Sequence, residues 1–479
     1  MLIVAGAVAV VAWGALAFGA VYPWAFTPLL IAAAATGALG AFMYGRRAVP
    51  RQTRLAFLAL VCVLAAGLIQ VIPLPPAALS VLSPSADAFL RNYDLAYSLG
   101  AIDIGRQPWH PLSLAPRASL VGLGFLAAFT LFLAGLTRAL SSSRARALAA
   151  LIVAFGVVLA IVGIVQKVTL GDHAWGGMKI YGFWAPANRL STPFGPFINK
   201  NHFAGWMLMA LPLALGVAMG RAEHAAKHVR GGFRSLLLWF SSPQGGWFQM
   251  SLLAALTMAA SLLMTRSRSG VACLVFAMIL ISFAARRRFG TARAGWTALT
   301  SLAILFLVVF SLAGADLAAR ITSRLDAMEL RKNIWTDSAS VIRDFPLAGT
   351  GVNTFGTAMI RYQTSQNDQH FQEAHNDYLQ VVVEGGILVA LPAFVAVLLL
   401  VRAIRRRFEA ADDDPQGYWV RVGAVVGLLT IAAQAAVEFS LQMPGNAALF
   451  VVLLSIALHE PTRRLAAHTK EDEHSGRFA

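Results

Sequence analysis

The amino-acid sequence predicts an all-α integral membrane protein with about twelve transmembrane helices, and three observations predict it. Of its 479 residues, 58% are hydrophobic and only 13% charged, with a mean hydropathy of +0.65, so water is not the chain's only solvent. Apolar runs of about 20 residues, the length that crosses a hydrocarbon core of roughly 30 Å, recur between short polar breaks. Runs such as LLIAAAATGALGAFM lack the period-two alternation of a transmembrane barrel.

The spans fall near 2–21, 26–44, 55–72, 118–137, 148–168, 202–220, 247–264, 270–285, 296–314, 379–401, 422–441 and 447–459. The first lacks a basic leader and a small-residue cleavage site and is read as a retained span, not a signal peptide. Basic residues gather in alternate connections: Arg46, Arg47, Arg51 and Arg54; Arg138, Arg144 and Arg146; Arg221, Lys227, Arg230 and Arg234; Arg286 to Arg288 and Arg293; Arg402 and Arg405 to Arg407. By the positive-inside rule these loops and both termini face the cytoplasm. The formal net charge of +16 therefore reports orientation, not a nucleic-acid partner. Cys62 and Cys273 lie in apolar runs and read as small core residues, with no disulfide or zinc framework. Residues 1–459 are expected to form one polytopic domain, with 460–479 a cytoplasmic tail. The acidic EAADDDPQG reads as a solvated cytoplasmic loop.

The opposite face carries three larger loops, 73–117, 169–201 and 315–378, and chemistry is expected there. Such lengths in compact structures are functional or disordered, and these loops are too aromatic for disorder. In the third, Leu325, Met328, Trp335, Ile342 and Phe345 recur at helical spacing against Arg324, Arg331, Lys332, Asp337 and Arg343. That pattern predicts an amphipathic helix lying on the outer surface. Pro346 ends it, and LAGTGVNTFG supplies a bend.

Several polar groups stand out against this background. Arg266 and Arg268, in the outer turn MTRSRSG, offer forked guanidinium groups suited to phosphate; the same pair also reads as snorkelling side chains at a helix end. Arg331, in ELRKNIW one turn before Trp335, is placed to meet a headgroup phosphate, or to make a generic contact with anionic lipid. The stretch QEAHNDYLQVVVEGG sets His375, Asn376 and Asp377 at the start of the tenth span. The helix macrodipole disfavours an imidazolium there and leaves a ring able to accept a proton, with Asp377 or Glu384 to orient it. A polar cap with an incidental histidine accounts for the same letters. His370, His375, Glu373 and Asp377 lack the spacing of a zincin helix and a third ligand cluster, so no metal is expected. Lys200 and His202, in FINKNHFAGW, read as an amphipathic span start or as a ligand site. Glu438, in VEFSLQMPGN, is an acid at membrane depth that either pairs within the bundle or contacts substrate.

Taken in order, FINKNHFAGW, TRSRSG, RKNIW, DFPLAGTGVNTFG, AHNDYLQVVVEGG and EFSLQMPGN give the chain a resemblance, over about residues 190–455, to the O-antigen ligase and polymerase superfamily of bacterial envelopes. The resemblance implies a C-type glycosyltransferase-like bundle in the inner membrane, with 315–378 as its large periplasmic loop. It implies transfer of a glycan from an undecaprenyl diphosphate donor to a hydroxyl of a glycan or lipid A-core acceptor, by ligation or by polymerisation of repeat units. By motif position, Arg266 or Arg268, with Arg266 favoured, and Arg331 would bind the donor diphosphate, and His375 would be the base. Asn376, Asp377, Glu384, Lys200, His202 and Glu438 are then supporting residues. Membrane lipids are the remaining partners, nucleic acid is not one, no cofactor or metal is implied, and direct displacement would invert the anomeric centre. A transporter or flippase for the same lipid-linked oligosaccharides also needs basic groups near the membrane, but is expected to show internal repeats and paired interrupted helices at the midplane. A structural protein of an envelope-assembly complex explains the loops and leaves the arginine, histidine and acid arrangement without a reason.

Overall fold

The computed structural model describes residues 1–103, 108–170, 179–186, 191–228, 233–289, 317–365, 370–409 and 414–460. Its regular elements are helices: α1 (Leu2–Leu16), α2 (Pro23–Met43), α3 (Arg51–Ile69), α4 (Pro76–Leu82), α5 (Pro84–Tyr93), α6 (Leu95–Asp103), α7 (Pro116–Ala139), α8 (Ser142–Leu170), α9 (Lys200–His228), α10 (Phe233–Phe240), α11 (Pro243–Met264), α12 (Arg268–Phe289), α13 (Leu317–Asp344), α14 (Phe355–Tyr362), α15 (Asp377–Glu409), α16 (Pro415–Gln434) and α17 (Pro444–Leu458). Among the described residues, nine of these are long and apolar enough to cross a membrane, while α1 and α17 are shorter apolar helices. The chain is a multi-pass all-α membrane protein. Proline opens α2, α7, α11, α16 and α17, where its fixed φ suits the first turn and its missing N–H leaves no intrahelical bond unmade.

Eleven of the twelve expected spans fall on helices, and the ninth, 296–314, lies outside the described residues. Two spans stop five or more residues short of expectation. The first helix stops at Leu16, where Ala17 leaves helical geometry and Gly19 takes φ 73°. The eleventh stops at Gln434, because residues 435–443 turn away to carry the buried Glu438 before Pro444 restarts a helix. Cys273 is buried as expected, whereas Cys62 is on the exposed side of α3 and is not a core residue. Residues 410–413 of EAADDDPQG lie outside the described residues; its Asp414 pairs with Arg146 and caps α16 by accepting from Gln416 N (3.1 Å).

The centre of the bundle is the pair α9 and α16. Trp206 and Trp419 are wholly buried there. The two backbones approach so closely that a Cβ on Gly423 would lie 2.9 Å from Leu213 Cα, the close approach that small residues permit between membrane helices.

A second core lies at one end of the bundle, which we call the loop end. Phe89, Leu90, Tyr97 and Leu114 from the first long connection pack with Ile334, Val341, Phe345, Phe355 and Met359 from the third. The two longest connections thus share one apolar interior. The expected surface helix is corrected accordingly: α13 turns its apolar stripe into this core, and Asp337, expected on the polar face, is buried and accepts from Thr364 N (3.1 Å) and Oγ1 (2.7 Å). Each fully buried Ile, Val or Phe contributes about 1.5–3 kcal/mol, more than a single stripe resting against headgroups. The side chains of Leu325 and Met328 lie outside the described residues.

α15 is interrupted at Gly386, with φ 53° and ψ −162°. The loop 346–352 enters the gap and pairs with the groups the break exposes. Thr350 N donates to Val383 O (3.1 Å), Gly351 N to Glu384 O (2.9 Å), Ile387 N to Pro346 O (3.0 Å) and Leu388 N to Leu347 O (2.9 Å). Gln70, fully buried at the end of α3, locks the arrangement by donating to Glu384 O (2.9 Å) and accepting from Val352 N (3.1 Å). A Cβ at Gly386 would meet Gly349 N at 2.5 Å and Leu347 O at 2.6 Å, on a backbone that only glycine tolerates. Gly386→Ala is expected to lower stability by at least about 2 kcal/mol, read as a drop of several degrees in the thermal unfolding midpoint of the detergent-solubilised protein; an unchanged midpoint would show that the break is not strained.

Candidate functional site

The site is built where α15 begins. Asn376 caps that helix, its Oδ1 accepting from Leu379 N (3.0 Å) and its carbonyl from Gln380 N (3.0 Å). The preceding His375 has φ 50°, a left-handed conformation that costs a residue with a Cβ about 1 kcal/mol or more. Its neighbours hold it there. Ala374 N donates to Gln380 Oε1 (2.9 Å), Ala374 O accepts from Trp335 Nε1 (3.0 Å), and Asp377 N donates to Ala435 O (2.9 Å). Three elements therefore aim the imidazole: α13, α15 and the segment 435–443.

It is aimed at Glu438, which is 1% exposed. Glu438 Oε1 accepts from Arg331 Nη2 at 2.6 Å and from Asn201 Nδ2 at 2.9 Å. Oε2 lies 3.7 Å from His375 Nδ1, beyond hydrogen-bond length, and neither atom has another partner. Burial pushes the Glu438 carboxyl up, but His375, the Arg331 charge and His202 outweigh it and hold the group below its ordinary value. The Phe439 ring stands edge-on between two imidazoles, 4.7 Å from the centroid of His375 and 4.7 Å from that of the buried His202.

The turn between α11 and α12 joins this centre from another side. Arg266, at φ 55°, and Arg268 are both exposed, and Ser267 between them caps α12 through Gly270 N (3.2 Å). Lys200, at the start of α9, feels the charges of Arg268, Arg266 and Glu438. A chain of amides completes the link: Gln434 Nε2 reaches Ser269 Oγ (3.5 Å) and Asn201 O (3.3 Å), and Asn201 in turn holds Glu438. The structure therefore brings Arg266, Arg268, Lys200, His202, Arg331, His375 and Glu438 to one place.

Asp377 and Glu384 do not take the role expected for them. Neither orients the imidazole. Glu384 accepts from Asn353 N (2.6 Å) and Phe355 N (3.1 Å), anchoring the loop that fills the break in α15, and Asp377 accepts from Gln442 Nε2 (3.0 Å). The group facing His375 is Glu438, 63 positions later in the chain, a contact that local spacing does not carry. Gln380, which sequence reasoning passed over, is the hub of the acidic side, its Nε2 donating to Glu373 Oε2 at 2.7 Å with Glu384 Oε1 and Gln442 Oε1 each at 3.0 Å. Its signal was available: it lies one helical turn before Glu384 and one turn after Asp377 or Asn376. Among the described residues, no group of three or more His, Cys, Asp or Glu is arranged to hold a metal ion.

Residues 253–394 match the O-antigen ligase family. This supports a relation of the segment to the O-antigen ligase superfamily. The match supports a glycan-transferring function of the ligase or polymerase kind, acting on lipid-linked glycan and acceptor substrates. The O-antigen ligase segment runs from α11 into α15 and so contains Arg266, Arg268, Arg331, His375 and Glu384, while Lys200, His202 and Glu438 lie outside it. No curated protein matches the chain.

Glu373, two residues before His375, supplies a test of the geometry. Burial, reinforced by Glu384 and Asp377, pushes its carboxyl up to about 8 against the Gln380 hydrogen bond. A raised carboxylate means that the folded state binds the extra proton, so this group's contribution to stability falls as pH rises from about 4.5 to about 8. Glu373→Gln is expected to flatten the decline of the unfolding midpoint over that window, measured by thermal denaturation at a series of pH values. An unchanged slope would place the proton elsewhere.

Proposed function

We propose that this protein transfers a glycan from undecaprenyl diphosphate to a hydroxyl acceptor at the periplasmic face of the bacterial inner membrane. In this reading the loop end faces the periplasm and the arginine-rich connections face the cytoplasm, with both termini inside. The observation that carries it is the pairing of Arg331 with one buried carboxylate beside a partly exposed imidazole, with Lys200 set within the fields of that carboxylate and of Arg266 and Arg268.

A lipid diphosphate keeps its tail in the bilayer and presents its anionic head at the surface. Arg266 and Arg268, exposed at a turn, meet that head from one side, and Arg331 from the other. His375 accepts the acceptor hydroxyl's proton as its oxygen bonds to the anomeric carbon. The bond from that carbon to the diphosphate oxygen breaks, and the electron pair leaves with the lipid diphosphate, whose charge the guanidinium groups stabilise. Attack opposite the leaving group inverts the anomeric centre. The chemistry draws on side chains alone and calls for no cofactor.

A transport function for the same lipid-linked glycans fits less well. Transporters are expected to pair interrupted helices near the midplane, whereas among the described membrane spans only α15 carries a residue with non-helical geometry, Gly386.

The test is to incubate the purified protein with an undecaprenyl diphosphate glycan and either a lipid A core or a second copy of the lipid-linked repeat. Ligation shifts the core to slower mobility, polymerisation lengthens the repeat, and movement of neither would refute transfer. His375→Ala is expected to lose about 10²–10⁴-fold in rate while donor binding persists; full activity would remove the base. Arg331→Lys should still impair turnover, since an ammonium point charge cannot reproduce a bidentate contact. Normal kinetics for that variant would reduce Arg331 to a general lipid contact.

A further inference from the structure

Glu438 takes two partners on one oxygen and leaves the other open beside a third. Oε1 is engaged by Arg331 and Asn201, while Oε2 and His375 Nδ1 are both buried, lack partners and stand 3.7 Å apart. Closing that gap by about 1 Å would form a charge-assisted hydrogen bond. The His375 side chain is 32% exposed although Nδ1 is buried, so its accessible part is the Cε1, Nε2 and Cδ2 side of the ring.

We infer that Glu438 is a positioning residue shared between donor and base: a lipid diphosphate draws Arg331 away, and the freed carboxylate closes on His375 Nδ1. This deepens the proposed function and rests on its assignment of Arg331 to the diphosphate and His375 to the acceptor. A diphosphate diester is doubly anionic, so Arg331 exchanges one negative charge for a larger one. Glu438, left with Asn201, then fixes the tautomer in which Nδ1 carries hydrogen and Nε2 accepts the acceptor's proton, and it stabilises the imidazolium that results. The base reaches full strength only with donor in place, which limits activation of water in the empty site. The charged and titratable groups around His375 in this scheme are Glu438 from the 435–443 segment, Arg331 from α13, Lys200 and His202 from α9, and Glu373 and Asp377 from its own stretch.

The experiment compares the full-length wild type, Glu438→Gln, Glu438→Asp, Arg331→Gln and His375→Ala in nanodiscs, with an undecaprenyl diphosphate glycan as donor and the acceptor that supports transfer. For Glu438→Gln, kcat is expected to fall about tenfold to a hundredfold without a rise in donor KM, because Arg331 is no longer held by a full charge. The acidic limb of its kcat profile should move to lower pH, since an amide stabilises imidazolium less than a carboxylate. Glu438→Asp should return that limb toward the wild-type position. Arg331→Gln releases Glu438 to His375 before donor arrives, so the acidic limb of kcat/KM, which reports the free enzyme, should move to higher pH. This second variant decides the matter if Glu438→Gln fails to assemble. Limbs that stay in place, or a donor KM that rises together with the fall in kcat, would make Glu438 a purely structural partner of Arg331 and overturn the inference. A fully active His375→Ala would instead remove the base reading itself, whereas an inactive His375→Ala with unmoved limbs sinks only the shared carboxylate.

Discussion

Burying a carboxylate costs several kcal/mol unless a cation and hydrogen bonds accompany it, and Glu438 is accompanied by Arg331 and Asn201 while its second oxygen is left open. Around this one group the loop end is assembled. Arg331 comes from α13, Asn201 from α9, His375 from the start of α15, and Glu438 itself from the bend that separates α16 from α17. Removing either member of the buried pair would strand the other, so the pair dictates where four elements meet. The contact is short and partly shielded from water, and it is the position of Glu438 that decides which way the imidazole can be served.

The break in α15 is the second constraint. A continuous helix would carry the start of α15 along the axis of its membrane segment; the interruption at Gly386 lets the segment 377–385 take its own direction under the loop-end core. The polar cost of breaking a helix is met by the loop 346–352 and by Gln70, which satisfy the carbonyls of Val383 and Glu384 and the N–H groups of Ile387 and Leu388. Glu384 then ties the same loop from its side chain. Residues that read as a bend in the sequence thus fill the break, while Trp335, Gln380 and Ala435 hold the left-handed His375, a strain that persists only when the surroundings over-determine it.

The apolar runs made the fold legible, since a membrane helix announces itself by length and composition, and the ordered motifs marked Arg266, Arg268, Arg331 and His375. What the letters did not carry were relations between distant segments. Asp377 and Glu384 lie close to His375 in the chain and were natural partners for it, yet helix geometry points them toward Gln442 and toward the loop 353–355. α13 looked like a helix resting on a membrane because its stripe is the same whether lipid or protein covers it; the apolar residues of 74–114 that cover it lie more than two hundred positions away. Gln380, Gln434 and Gln70 drew no attention because an uncharged amide in an oily chain resembles an ordinary polar break.

Those glutamines explain how opposite charges coexist so near one another. Near His375 stand Arg331, paired with Glu438, and Lys200, which senses Glu438 together with Arg266 and Arg268; Glu373, Asp377 and Glu384 make a second, acidic group. Were the second group ionised and free to turn, it would compete with Glu438 for those cations. Gln380 and Gln442 instead bind those carboxyls side by side, burial favours the protonated form of Glu373, and Gln434 bridges the cationic side through neutral contacts to Ser269 and Asn201. The amides therefore keep the acids as scaffold on hydrogen bonds of their own, apart from the basic groups gathered around Glu438.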